Sequence, residues 1–347
     1  MLDPLLAKRL QRFRSIKRGY YSFLFFVILL FLSCFLELFI SNRALLVRYQ
    51  GEYYFPSYGA IIPGTTFGKD YKYETNYRDL AKEFEEKGEG NFVILPIVPF
   101  GANEVDLTEG RYPPYPPSLT DKHYIGTDTS GRDILARLFY GFRTAIFFSL
   151  GLLVTTYGIG IFVGSLMGYY GGKFDLFVQR LIEIWTNIPY LYVIIIVSSI
   201  VVPNFYSLLG ILVFFGWTSM TWYMRTSIYK EKNREYVLAA RATGCSSLRI
   251  IFRHILPNTV SVIVTFIPFS VSSGIVALTS LDFLGFGLPP PTPSWGELLR
   301  IGMSNMYEAQ WIVLSVVIAM IVVLSIITFI GEAVREAFDP KKFAYYE

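Results

Sequence analysis

The residues with chemistry to offer are gathered in one stretch. Positions 235–258 read Glu-Tyr-Val-Leu-Ala-Ala-Arg-Ala-Thr-Gly-Cys-Ser-Ser-Leu-Arg-Ile-Ile-Phe-Arg-His-Ile-Leu-Pro-Asn, a charged, helix-compatible island between long apolar runs. Glu235, Leu238, Ala239, Ala240, Arg241 and Ala242 are good helix formers, and Gly244 supplies the left-handed residue that ends a helix. Ser246 is placed to cap a second helix, which Pro257 is expected to stop after about Ile255. Ala239 and Ala240 form a surface of little bulk that suits a groove on another protein. Arg249 and Arg253, one turn apart and followed by His254, share a face of the second helix. That is the chemistry of docking, because a polar helix–turn–helix in an apolar chain has no core of its own to fill. The same arginines would also serve as ordinary anchors at a membrane surface. No Gly-x-Ser-x-Gly, His-Glu-x-x-His or P-loop pattern occurs, so nothing points to catalysis or to ATP hydrolysis by this chain. Neither Cys34 and Cys245 nor His123 and His254 have the spacing of a metal site.

The elements around the island must hold it at a membrane. Apolar residues make up 53% of the chain and charged ones only 17%, and the apolar residues come in blocks rather than at amphipathic spacing, which describes an integral membrane protein. A helix needs roughly 20 apolar residues to cross the hydrocarbon. Six segments qualify: 20–41, 142–170, 176–202, 205–225, 259–284 and 311–331. The expected fold is therefore all-α, with six transmembrane helices. The chain divides into an N-terminal segment (1–19), a first span (20–41), an insertion (42–137) and a core (138–347) that carries the docking helices at 227–257.

Lys8, Arg9, Arg12, Arg14, Lys17 and Arg18 precede the first span, and Arg225, Lys230, Lys232, Arg234, Arg241, Arg249 and Arg253 fill the connection between spans four and five. An even number of crossings separates the two groups. They fall on one side, which the positive-inside rule makes cytoplasmic, together with both ends of the chain. These basic residues flank spans and carry no nucleic-acid-binding motif, so nucleic acid is not an expected partner.

On the far side, the insertion should fold in part. Leu45–Tyr49 and Glu52–Pro56 look like short strands around a Gln50-Gly51 turn, Asp79–Lys87 like a charged surface helix, and Pro113–Pro117 like an extended polyproline run. Gly160, Gly164 and Gly168, at four-residue spacing, expose a smooth face for close packing within the chain or against a second subunit. Pro189 and Pro268 are expected to kink their spans. The middles of the spans are almost uncharged, which argues against an ion- or proton-coupled carrier. Arg143 and Asp282 are charged residues at outer span ends. With Phe283 and Phe286 beside Asp282, they are the candidates for a translocation path or outer gate.

At this point the pattern resembles a known one. Ala239-Ala240, Gly244 and Leu256-Pro257 fall at the spacings of the EAA loop of ATP-binding-cassette importer permeases, with Leu238 at the consensus Glu position and Glu235 one turn earlier. Ala239–Gly244 followed by Arg253–Asn258 resembles the peptide-importer branch. So does Gly126-Thr127-Asp128-x-x-Gly131-Arg132-Asp133 with Arg137 and Tyr140-Gly141-x-Arg143, and so do the segments 168–172 and 280–287. The likeness covers 12–18 and 122–340, and the insertion is similar to that of the Yej-type permeases, which serve peptides and the antibiotic microcin C. The resemblance implies a type I importer permease of the bacterial inner membrane that lacks catalytic chemistry. It implies a second homologous permease, two cytoplasmic ATPases or one fused ATPase, and a periplasmic peptide-binding protein as partners, within a lipid bilayer. It also implies no cofactor on this chain, with ATP and Mg held by the ATPases. The alternative is a secondary carrier or channel subunit not driven by ATP.

Overall fold

Long apolar runs satisfy their backbone internally, and helices dominate as a result. A computed structural model describes residues 4–338 apart from Glu89 and positions 108–110. The positions 339–347, and with them the end of the resemblance at Pro340 and the placement of the C-terminus, lie outside the described residues.

The chain begins with α1 (Pro4–Ser15) and α2 (Lys17–Cys34). Helix α2 ends seven residues short of the predicted 20–41 span. Leu36 and Ile40 turn instead into a small core with Val98, Phe100, Ala102 and Ala136, which fastens the insertion to the bundle. In the insertion β1 (Leu46–Tyr49) pairs antiparallel with β2 (Glu52–Tyr54), and Gln50 and Gly51 both take positive φ in the turn between them, as predicted. Helix α3 (Tyr77–Lys87) is capped by the Asn76 side chain and buries Tyr77, Leu80 and Phe84. Strand β3 (Phe92–Ile94), which the sequence pattern does not announce, pairs with the other side of β1. The 113–117 run adopts no regular element, and Tyr115 within it is buried.

Helix α4 (Ile134–Tyr170) starts eight residues before the predicted 142–170, because the Asp133 carboxylate accepts from the Ala136 N–H and caps it there. The expected boundary at 137/138 thus falls inside this helix. The third span is two helices, α5 (Gly172–Thr186) and α6 (Tyr190–Ile200), bent by 63° at the intervening residues. Pro189 disfavours helical geometry at Ile188 and takes the N-cap position of α6. Among the described residues five helices are long and apolar enough to cross a membrane, or six if this bent pair is one span.

Helix α7 (Phe205–Glu231) lies against α4. The glycine stripe is the reason. A Cβ at Gly160 would lie 2.7 Å from the Trp217 carbonyl oxygen, and one at Gly168 would lie 2.6 Å from that of Arg225. Close packing within the chain is therefore what the stripe provides. After α7 come α8 (Glu235–Ala242) and α9 (Ser247–Arg249), then a π-helical stretch, Ile250–Ile255, and α10 (Leu256–Leu284). Pro257 does not stop the helix as expected. The wider π turn, closed by the Leu256 N–H on the Ile251 carbonyl, leads directly into α10 and places the proline in the first turn of that helix. Residues Ser247–Leu284 form one continuous apolar helix. A short amphipathic α11 (Trp295–Ser304), also unforeseen, precedes α12 (Gln310–Phe338). Helix α12 packs on α2, where Gly19 meets Ala333 and Arg18 pairs with Glu332 at 2.7 Å.

Candidate functional site

At the end of the bundle opposite the insertion, the 235–258 island is ordered by a small core of its own, contrary to the expectation that it had none. Val237 and Ala240 are buried against Ile250, Ile251 and Ile255 of the π turn and against Met220, Met224 and Ile228 of α7. Ala240 thus faces inward, and the surface of little bulk consists of Ala239, Ala242 and Gly244. Gly244 has φ +76°, as its predicted role requires, and space is open where a Cβ would stand. Ser246 occupies the N-cap position by its backbone, but its hydroxyl makes no capping bond. Arg241 lies over the Tyr169 ring at 5.5 Å.

The exposed face is mixed. Glu235, Arg241, Arg249, Arg253 and Pro257 are exposed, His254 is half-buried, and Leu238 and Leu248 leave 50% and 54% of their surfaces open. Arg249 and Arg253 take part in no ion pair among the described residues. Two cations and two leucines on an ordered surface are what a docking face needs, since charge guides the approach and apolar area holds the partner.

Comparison with known proteins shows the family to which the chain belongs. A family model described as binding-protein-dependent transport system inner membrane component matches residues 160–343. The inner membrane ABC transporter permease protein YejE of Escherichia coli K12 is 42% identical over 98% of this chain and 98% of its own. The chain belongs to this permease family. The peptidoglycan transport system permease protein YejE of Agrobacterium fabrum is 38% identical over 98% of this chain and 94% of its own, and the dipeptide transport system permease protein DppC of Bacillus subtilis is 32% identical over 72% and 78%.

At the insertion end the permease carries an ionic network that the sequence displays only as a motif. The Asp128 carboxylate accepts from the backbone N–H groups of Ser130 and Arg132 and from the Arg132 side chain at 2.7 Å. Arg137, fully buried on α4, donates to the Ala102 carbonyl at 3.1 Å and pairs with Glu297 of α11, which also takes Arg132 at 3.3 Å. Asp133, besides capping α4, holds His123 Nδ1 at 2.8 Å, while Asp106 lies 3.2 Å from Nε2. The 126–133 motif therefore stitches the insertion to α4 and α11.

Burial acts to lower the His123 pKa, but the bonds to Asp106 and Asp133 outweigh it and raise the group to about 9. The bond to His123 holds Asp106 below the usual carboxylate range, against an opposing effect of burial. A folded-state pKa above the unfolded value near 6.5 gives stability that is complete below pH ~6.5 and lost as pH rises through about 9. Protease cleavage within the insertion should therefore accelerate between about pH 6.5 and about pH 9. His123→Ala should remove the acceleration. An unchanged pH profile in that variant would contradict the assignment.

The two charged residues expected at an outer gate, Asp282 and Arg143, each bind a different partner. Asp282 is buried at the end of α10, where it accepts from the Leu288 N–H at 2.7 Å and from the Ser294 hydroxyl. Ser294 in turn caps α11 through Gly296 and Glu297. Asp282 thus fixes the turn that presents Glu297 to Arg137. Arg143 pairs instead with Glu37 at 2.8 Å and lies over Tyr140. Phe283 is exposed, and Phe286 packs on the main core. Asp282→Ala leaves a buried N–H and a hydroxyl unanswered and should cost about 2–3 kcal/mol, whereas Arg143→Ala, breaking a partly exposed pair, should cost about 1 kcal/mol or less. Melting temperatures in detergent distinguish these outcomes, and equal or inverted shifts would contradict the ranking.

Proposed function

We propose that this chain is the transmembrane permease subunit of an ATP-driven peptide importer. The 235–258 face docks on cytoplasmic ATPases, and both termini lie on that same side. The observation that carries the reading is that face, with Arg249 and Arg253 free of ion pairs among the described residues and Leu238 and Leu248 open. Its continuity with Ser247–Leu284 supplies the lever. When the ATPases close, a push on α8 and its π-turn core passes along α10 into the bundle without crossing a break. ATP-bound ATPases must favour one orientation of the bundle over the other for this to drive transport.

This chain performs no bond chemistry and binds no cofactor of its own in this reading. ATP and Mg act on the partner ATPases, two separate chains or one fused chain. A second homologous permease completes the path, and a periplasmic binding protein delivers cargo. Relatives named for dipeptide and peptidoglycan transport support peptide-bearing cargo, with microcin C as a narrower candidate. Affinity purification from membranes in mild detergent tests the assembly. One homologous permease and an ATPase should co-purify, and recovery of the chain without an ATPase under conditions that preserve transport would overturn it.

Gly244→Asp adds a carboxylate to this face with no atom within 4 Å of its Cβ, at a backbone strain of about 1–2 kcal/mol because φ there is +76°. The variant should fold, yet it should bind ATPase about tenfold more weakly, which corresponds to ~1.4 kcal/mol. Unchanged ATPase recovery and unchanged uptake would remove Gly244 from the docking face.

A further inference from the structure

Two grooves of similar size open on the sides of the bundle, and their linings differ in kind. The one between α2, α4 and α12, about 520 Å³, has one hydroxyl, Ser315, among apolar side chains and suits lipid tails. The other, about 460 Å³, lies between α4, α7 and α10 near the middle of each helix. Thr156, Tyr157, Ser219, Tyr223, Ser270 and Ser273 give it hydroxyls from all three helices, Tyr190 of α6 adds one at its edge, and no Asp, Glu, Lys, Arg or His lines it. Polar groups at that depth of a membrane are costly against lipid and belong where a cavity or polar cargo meets them.

We propose that the α4–α7–α10 groove is this subunit's cargo-contacting surface, and that it recognises the backbone amides of a peptide rather than its side-chain charges. The proposal rests on the reading of the chain as a peptide permease and assigns the contact within it. The hydroxyl bonding supports it. Thr156 donates to the Leu152 carbonyl at 2.6 Å and Ser273 to the Phe269 carbonyl at 3.0 Å, so each keeps oxygen lone pairs that can accept an N–H. Tyr157 and Ser270 share one bond at 2.8 Å, and Ser219 is exposed with no hydrogen-bond partner among the described residues. Tyr223 stacks on Phe266 at 4.0 Å and presents a flat apolar wall beside these acceptors. Neutral hydrogen bonds, each weak in net terms, would guide a peptide without trapping it. A fixed charge in the groove would hold some peptides and reject others.

The test uses Ser219→Cys and Ser273→Cys in the full complex, with Leu314→Cys of the apolar groove as reference. A membrane-impermeant thiosulfonate reagent is applied, and modified sites are read by peptide mass mapping, which separates them from Cys34 and Cys245. Both groove cysteines should react severalfold faster than Cys at 314. An unlabelled tripeptide should slow them whether its side chains are acidic, basic or neutral, and its backbone N-methylated analogue should protect poorly. Groove cysteines as inert as the reference would mean that lipid or a helix of the second permease fills the groove. Labelling without tripeptide protection would mean that cargo passes elsewhere. Either result overturns the inference while peptide uptake by the wild-type complex still upholds the function. Loss of peptide uptake by the wild-type complex would overturn both.

Discussion

Gly164→Leu is expected to prevent this permease from folding. The stripe of Gly160, Gly164 and Gly168 brings the α4 backbone against α7, and a Cβ at Gly164 would overlap the Thr221 carbonyl oxygen and approach the Met224 Cβ to 3.0 Å. A leucine there must push two long helices apart along the packing that joins the second and fourth spans. Overpacking of that kind costs about 3 kcal/mol or more, a large part of any domain's net stability. The expected readout is loss of the monodisperse species on size-exclusion chromatography in detergent. Gly158 lies on the same helix, and no atom comes within 4 Å of the place a Cβ would take there, so Gly158→Leu should elute like the wild type. Equal behaviour of the two variants would show that the α4–α7 contact does not hold the bundle together.

The second large effect concerns Arg137 and Glu297. Their pairing joins residues 160 positions apart, and both are nearly inaccessible, with Arg137 at 0% and Glu297 at 6% exposure. Removing one partner strands a charge in a dry site, which costs about 3–5 kcal/mol. Glu297→Met should approach that figure, because the nearest remaining carboxylate to the Arg137 Nε is Asp128 at 3.9 Å. Arg137→Met should cost less, since Glu297 retains Arg132 at 3.3 Å. The double variant should recover part of the loss, because Asp128 and Arg132 still pair at 2.7 Å and the site stays neutral. Thermal unfolding in detergent supplies the cycle. Strict additivity of the two substitutions would show that the pair is not a unit.

These cases mark what the sequence made legible. The apolar blocks, the turn at Gln50-Gly51, the left-handed Gly244 and the glycine stripe all follow from local propensity or one-dimensional spacing, and the fold uses each as expected. What stayed hidden depends on partners distant in sequence. Helix α2 ends early because Leu36 and Ile40 find Val98 and Phe100, and α4 begins early because Asp133 caps it. The π turn at Ile250–Ile255 absorbs a proline that local rules read as a stop. Arg132, Asp133 and Arg137 were visible as a motif, yet Glu297 was not, because nothing local marks a glutamate on a short amphipathic helix as the partner of a buried arginine. Ala240 shows the same limit on a smaller scale. Its type suggested an open groove-binding surface, and only the positions of Ile250 and Ile255 reveal that it faces inward.

Energy for transport enters, on this reading, through the 235–258 face from ATP hydrolysed elsewhere. Peptide uptake into proteoliposomes holding the purified complex tests that claim most directly. Uptake should require ATP on the side of the 235–258 face, continue after ion gradients are collapsed, and fall with ATPase binding in Gly244→Asp. Uptake driven by an ion gradient without ATP, or ATP hydrolysis by this chain purified alone, would contradict it.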